Sequence, residues 1–195
     1  NLPGEEKKAA GIEAANYDNR IPGVSIHYKD AVELVTRGAA KACLSVEQET
    51  VTRTSRNVVA RIKGTDKAEE ILTLTAHYDS VPEGPGAYDN MSGAAIIMEL
   101  CRYFKEHRPR RTMEFVWFGA EEKGLLGSRN YIKEHETELP AHRFNMNVDL
   151  AGQLVGGTVV GVTGDASICN MITYMAHETG TGLSTKNQIW GGDSN

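Results

Sequence analysis

Ile71-Leu72-Thr73-Leu74-Thr75-Ala76-His77-Tyr78-Asp79 is an apolar run that ends on an imidazole and a carboxylate, and the fold is read outward from it. Its continuous apolar character fits a buried strand. Downstream, Ser92 is placed to cap a helix through about His107, with Ala95, Ile96, Glu99, Leu100 and Tyr103 at helical spacing and Pro109 beyond its end. Met113-Glu114-Phe115-Val116-Trp117-Phe118 is a second buried strand, stopped by Gly119. Leu125 to His135 reads as helix, Phe144 to Val148 as a short strand, Val155 to Val162 as a strand with glycines, and Ala166 to Thr179 as helix. Upstream, Asn57 to Ile62 alternates and ends at Lys63-Gly64, so it is expected to form a hairpin with the Ile71 strand. Strands alternating with helices predict an α/β domain: a mixed, mostly parallel central sheet with helices on both faces. In such sheets ligands gather beyond the carboxyl ends of the strands.

Residues 1–53 read as a small α+β segment of their own, with the α/β domain over 54–195. Good helix formers run from Glu5 to Ala15, and Ile21-Pro22-Gly23 breaks the pattern before the β-branched Val24-Ser25-Ile26. Asp30 is placed to cap a second helix through Val35, with Gly38 as its terminator. The stretches Ala42 to Val46 and around Val51 alternate like half-buried strands. His27, alone on a strand, reads as a satisfied or solvated side chain.

Composition narrows the function. The chain has 195 residues, a formal net charge of −5, 40% hydrophobic and 24% charged residues, which excludes a disordered, collagenous or coiled-coil protein. Apolar stretches such as Gly93 to Met98 fall far short of the roughly 20 residues that cross a bilayer, so no transmembrane segment is expected. Net acidity with no basic run longer than Arg110-Arg111 argues against a nucleic-acid partner. Cys43, Cys101 and Cys169 are odd in number and widely spaced, which fits neither a disulfide framework nor a CxxC site, and they read as buried thiols. The chain opens on Asn1-Leu2-Pro3-Gly4 and stops at Gly191-Gly192-Asp193-Ser194-Asn195, so both ends read as cut.

The chemistry-bearing residues fall at strand ends of one polarity. His77 and Asp79 follow one strand, Asp89 lies in the next loop, Glu121 and Glu122 follow a second strand, and Asp149 ends a third. A polar group ending a buried strand is costly unless paired or holding a metal. His77 and Asp79 share one face of an extended backbone, so Asp79 can orient the imidazole. Each piece alone has a plain alternative: a strand-end histidine bonded to a loop acid, an Asp89 that complements a helix dipole, a solvated Glu121-Glu122 turn. Together they point to a metal site.

Four strings then carry a resemblance: Leu74-Thr75-Ala76-His77-Tyr78-Asp79-Ser80-Val81, Gly86-Ala87-Tyr88-Asp89-Asn90-Met91-Ser92-Gly93, Phe118-Gly119-Ala120-Glu121-Glu122-Lys123-Gly124-Leu125-Leu126-Gly127-Ser128 and Asn147-Val148-Asp149-Leu150-Ala151-Gly152. In order and spacing they resemble the di-zinc aminopeptidase family related to glutamate carboxypeptidase and transferrin receptor. The stretch Ile21 to Ile26 and the strand near Cys43 are similar to the closing portion of the protease-associated domain often inserted in these enzymes. The resemblance implies that His77 and Asp149 bind one Zn²⁺, that Glu122 binds a second and that Asp89 bridges the pair. It implies Glu121 as general base, Asp79 as support for His77, a cis Asp89-Asn90 peptide bond and peptide substrates. It also places a further histidine ligand of the second zinc beyond Asn195, so this chain is expected to hold one zinc in preference to two. His107, His135, His142 and His177 do not fit that role. Within the family's fold, carboxypeptidases, a glutaminyl cyclase and catalytically inactive scaffolds are the alternatives. Family members are often exported, which leans the compartment to extracytoplasmic, and oligomeric state and residue preference are not legible; Trp190 is a weak candidate for a pocket wall.

Overall fold

The computed structural model describes residues 26–41, 43, 45, 47, 49–152, 156–188 and 193. The expected helix from Glu5, the strand at Val24, parts of the Ala42 stretch and Trp190 lie outside the described residues. The chain divides into two units, Asn1–Arg53 and Thr54–Asn195.

In the first unit, helix α1 spans Tyr28–Thr36 and is capped by His27, whose Nδ1 accepts from the Lys29 amide at 3.2 Å. The expected cap, Asp30, instead sits in the first turn, where its charge complements the helix dipole. Gly38, at φ 63°, follows the helix end in the left-handed conformation that favours glycine. The residues around Val51 form no strand.

In the second unit, β1 (Val58–Ile62), β2 (Lys67–His77), β3 (Arg111–Phe118) and β4 (His142–Asn147) form one sheet in the order β1-β3-β2-β4. β2 is parallel to both β3 and β4, and β1 is antiparallel to β3. The fold is therefore the expected mixed, mostly parallel α/β type. The expected β1–β2 hairpin is not formed, because β3 inserts between them. The α2 helix (Met91–Glu106) and α3 (Leu126–Glu134) follow β2 and β3, and α4 (Ser167–Glu178) lies between β5 (Thr158–Val162) and β6 (Leu183–Asn187), which pair in parallel as a second, two-stranded sheet. β6 was not anticipated: Leu183-Ser184-Thr185-Lys186-Asn187 lacks the apolar periodicity that marks a strand.

The pleat of β3 sorts the core into two layers. Phe115 packs with Leu74, Ala76, Ile97 and Met113, against Leu100, Cys101 and Phe104 of α2, while its neighbour Val116 packs with Phe118 and Tyr131 of α3 on the other face. Helices thus cover both faces. The buried side of α2 runs through Gly93, Ala94 and Ile97, whereas Ala95, Ile96, Glu99 and Tyr103 of the expected set are exposed. The cysteines are not buried thiols: Cys43 is exposed, Cys101 and Cys169 are half-buried, and all three are free.

Candidate metal centre

Because β2, β3 and β4 run in parallel, their carboxyl ends share one edge. His77 is the last residue of β2 and pairs with Phe118 at the end of β3, and Thr75 pairs with Asn147 at the end of β4. The Val148 amide extends that ladder to Thr75 O at 2.9 Å and delivers Asp149 next to the imidazole.

His77 is 1% exposed, so its ring must be satisfied by protein or ligand. Its Nδ1 lies 3.0 Å from the main-chain oxygen of Asp79. A proton on Nδ1 donated to that carbonyl leaves Nε2 free to face Asp89 Oδ1 at 3.0 Å and Asp149 Oδ1 at 3.5 Å. Ligand atoms of His77, Asp89 and Asp149 all fall within 4.8 Å of one another. Burial pulls the His77 pKa down, but the hydrogen bond and charge of Asp149, with the charge of Glu121, outweigh it and raise the value from 6.5 to about 9.

Asp79 supports the site differently from the expectation. Its carbonyl, rather than its carboxylate, makes the close contact with His77; Oδ1 stands 3.6 Å from Nδ1. The carboxylate accepts from the amides of Glu121 at 3.0 Å and Glu122 at 3.3 Å. The loop after β2 therefore holds the turn after β3. Asn57 closes that turn from the other side, donating to Gly127 O at 2.9 Å and accepting from the Gly119 amide at 3.2 Å. A side chain on Gly127 would run into Gly119 O, which explains a glycine there.

Glu121 and Glu122 belong to this edge but not to the close group formed by His77, Asp89 and Asp149. Glu122 Oε1 is buried without a hydrogen-bond partner. Burial, then the charge of Asp89, raises its pKa above the ordinary carboxylate value. Glu121 is likewise raised, by burial first and then by the charges of Asp193, Glu122 and Asp149, with His77 opposing.

Asp89 precedes a cis peptide bond to Asn90. Asn90, 1% exposed, is the true cap of α2: its Oδ1 accepts from the Gly93 amide at 3.1 Å and its Nδ2 donates to Val148 O at 2.9 Å. Ser92, the expected cap, spends its hydroxyl on Tyr88 O at 2.7 Å and accepts from the Ala151 amide at 3.2 Å. Tyr88 Oη donates to Leu150 O at 2.8 Å, so the Asp89 loop and the Asp149 loop are stitched together. Ala120 and Leu150, next to Glu121 and Asp149, have φ of 58° and 53°. Such non-glycine conformations cost about 1–3 kcal/mol each and gather at functional sites.

Sequence reasoning assigned no part to Asn57, Asn90 or Asp193. Asp193 is 6% exposed, and its Oδ1 accepts from Ser128 Oγ at 2.6 Å. In the sequence it is an acid after two glycines, which looks like any turn. The other histidines serve elsewhere: His142 Nδ1 bonds Thr73 Oγ1 at 2.7 Å, while His107 and His135 turn Nδ1 to main-chain oxygens of their own helices.

At the carboxyl edge of this mostly parallel sheet, His77, Asp89 and Asp149 form a group that could hold a metal ion. The model of Peptidase family M28 matches residues 57–190, and the chain belongs to that family. Aminopeptidase YwaD of Bacillus subtilis is 39% identical over 134 residues, 68% of this chain and 29% of the relative. The probable lipoprotein aminopeptidase LpqL of Mycobacterium tuberculosis is 36% identical over 131 residues, 66% of this chain and 26% of the relative. Among solved structures, BSAP, a zinc aminopeptidase from Bacillus subtilis, superposes with a TM-score of 0.63 at 31% identity, covering 70% of this chain and 35% of that one. The chain thus spans about a third or less of the length of these relatives. No described helix is long and apolar enough to cross a membrane.

Proposed function

We propose that the protein is a zinc-dependent aminopeptidase acting on peptide substrates, with His77 and Asp149 as ligands of one zinc, Glu122 as a ligand of a second and Asp89 reaching both. The observation that carries this reading is the convergence of His77, Asp89 and Asp149 beside the orphaned buried oxygen of Glu122. Imidazole nitrogen and carboxylate oxygen suit zinc, and ligands at about 2.0–2.2 Å in a tetrahedron stand roughly 3.4 Å apart. The 3.0 and 3.5 Å separations from His77 Nε2 are of that size. The names of the relatives, a zinc aminopeptidase among them, support the same reading. Residues 1–53 are assigned, on motif resemblance, to the end of a protease-associated domain.

Zinc bound at such ligands supplies a Lewis acid that polarises a scissile carbonyl and makes a water acidic near neutral pH. The chain does the rest. The Asp79 carbonyl sets the His77 tautomer so that Nε2 offers its lone pair. The Asp79 carboxylate fixes the backbone of the Glu121-Glu122 turn. Glu121, outside the ligand group, takes a proton on its carboxylate as the water oxygen attacks the carbonyl carbon, and returns that proton to the leaving nitrogen as the C–N bond breaks. Its burial, which favours the protonated form, suits a group that must hold the proton between the two steps.

A Glu121→Gln variant tests the assignment. Its zinc content should match the unmodified protein while hydrolysis of leucyl p-nitroanilide falls about 10²–10⁴-fold. Hydrolysis near the unmodified rate removes Glu121 from the mechanism.

A further inference from the structure

The turn that carries Glu121 and Glu122 is held at both ends by one side chain. Between Gly119, which follows β3, and Gly127, in the first turn of α3, the chain folds back on itself. The amides of Gly124 and Leu125 donate to Glu121 O at 2.8 Å, and that of Leu126 to Ala120 O at 3.1 Å. Ala120 and Leu125 take φ of 58° and 60° there, a conformation that non-glycine residues keep only when their surroundings enforce it. Asn57, just ahead of β1, supplies that enforcement across the mouth of the turn. Its Oδ1 accepts from the Gly119 amide at 3.2 Å and its Nδ2 donates to Gly127 O at 2.9 Å. The two ends demand one acceptor and one donor. An amide meets that demand, whereas a carboxylate would set a second acceptor against Gly127 O.

The segment around Asn57 is itself fastened beside His77. Tyr78 donates its hydroxyl to Arg56 O at 2.7 Å and its amide to Phe118 O at 2.9 Å. A side chain on Gly119 would collide with Ser55 Oγ and Arg56 O, and one on Gly127 with Asn57 Oδ1, so segment and turn are in close contact. Both bonds of Asn57 go to the ends of the turn, whereas His77, Asp89 and Asp149 stand on the end of β2, the loop before α2 and the loop after β4. Resting on the peptidase reading above, we propose that Asn57 is a positioning residue for Glu121: by fixing the width and conformation of the 119–127 turn, it sets where that carboxylate stands for the proton-transfer steps. It does so without touching substrate or metal. A misplacement of about 1 Å costs such steps up to about 10²-fold.

Two variants test this. Asn57→Ala removes both bonds, and Asn57→Asp keeps the acceptor for Gly119 while losing the donor for Gly127 O. With zinc-loaded protein and leucyl p-nitroanilide, each should lower kcat by about 10–10²-fold while KM and zinc content stay within about twofold of the unmodified values. In a Glu121→Gln background, Asn57→Ala should lower kcat by less than about twofold further, because the group it positions has lost its function. In the metal-free protein, amide hydrogen exchange at Glu121, Leu125 and Leu126 should quicken about tenfold in both variants, with Phe115 and Val116 in the core of β3 unchanged. Unchanged kcat, loss of zinc, a loss confined to KM, or the full Asn57→Ala loss repeated in the Glu121→Gln background each overturns the proposal. Exchange that quickens in the core as much as in the turn, or failure of both variants to fold, makes Asn57 a residue of overall stability and overturns it too. An unmodified protein that neither holds zinc nor cleaves leucyl p-nitroanilide overturns the peptidase reading itself. A protein that does both while Asn57→Ala keeps its kcat strikes only the role of Asn57.

Discussion

Glu114 and Glu121 are carried inward by the same strand and the turn that follows it, and they meet opposite company. Glu114, fully buried on β3, accepts from Arg61 Nε at 2.6 Å and from the Tyr131 hydroxyl, and Arg61 goes on to grip Glu138 through both terminal nitrogens, at 2.6 and 2.9 Å. Burial, and then the Glu114 hydrogen bond, push the Tyr131 hydroxyl above its ordinary range. Glu121, past the end of the strand, feels three acids, Asp193, Glu122 and Asp149, and one imidazole. Where the fold merely needs a buried charge, the chain provides the counter-charge. At the carboxyl edge it gathers carboxylates around a single imidazole, and the proposed metal would supply the missing positive charge.

The largest expected effect lies at the first of these regions. Arg61→Ala should destabilise the protein by about 3–5 kcal/mol in urea unfolding, because it strands a buried Glu114, and Arg61→Met combined with Glu114→Met should recover most of that loss. Recovery failing in the double variant would mean the network is not the simple charge pairing described. Next in size, zinc at a hundredfold excess over its dissociation constant should stabilise the protein by about 2.7 kcal/mol, and a chelator should remove that gain.

The pH response separates the regions further. The folded pKa of His77 is raised from 6.5 to about 9, so in chelator its contribution is complete below pH 6.5 and is lost as pH rises through about 9. With zinc on Nε2 the ring is already neutral, keeping only the Nδ1 proton that it donates to the Asp79 carbonyl, and this alkaline decline should vanish from thermal melts. The smallest effects are on the acid side. Glu122, raised above 4.5, makes the metal-free protein gain stability as pH falls towards 4.5, whereas Glu138, lowered by Arg61, contributes stability that is present above 4.5 and lost as pH falls through its folded value. Glu122→Gln should therefore raise metal-free stability at pH 7 by less than about 1 kcal/mol and flatten the first limb only.

That His77, Asp89 and Asp149 would meet was legible because the logic is local: an apolar run that ends in a polar group marks a strand end, and parallel strands bring like ends together. What was missed depends on partners far along the chain. Asn90 rather than Ser92 caps α2 because its amide also reaches Val148 O, a contact no local pattern contains. The buried face of α2 was misplaced because Ala, Ile, Met and Leu surround the helix, so spacing alone does not select a side. The β1–β2 hairpin failed because β3, some fifty residues downstream of β1, pairs with both strands. Glu114 passed for an ordinary strand residue because Arg61, Tyr131 and Glu138, which neutralise or bond its neighbourhood, come from three other elements.

Metal analysis of the purified protein after dialysis into zinc-free buffer tests the central claim most directly. The unmodified chain should retain zinc, and a His77→Ala, Asp89→Ala double variant that melts as a folded protein should retain none. Equal zinc in the two proteins, or none in the unmodified one after prior loading, would contradict a metal centre at the carboxyl edge of this sheet.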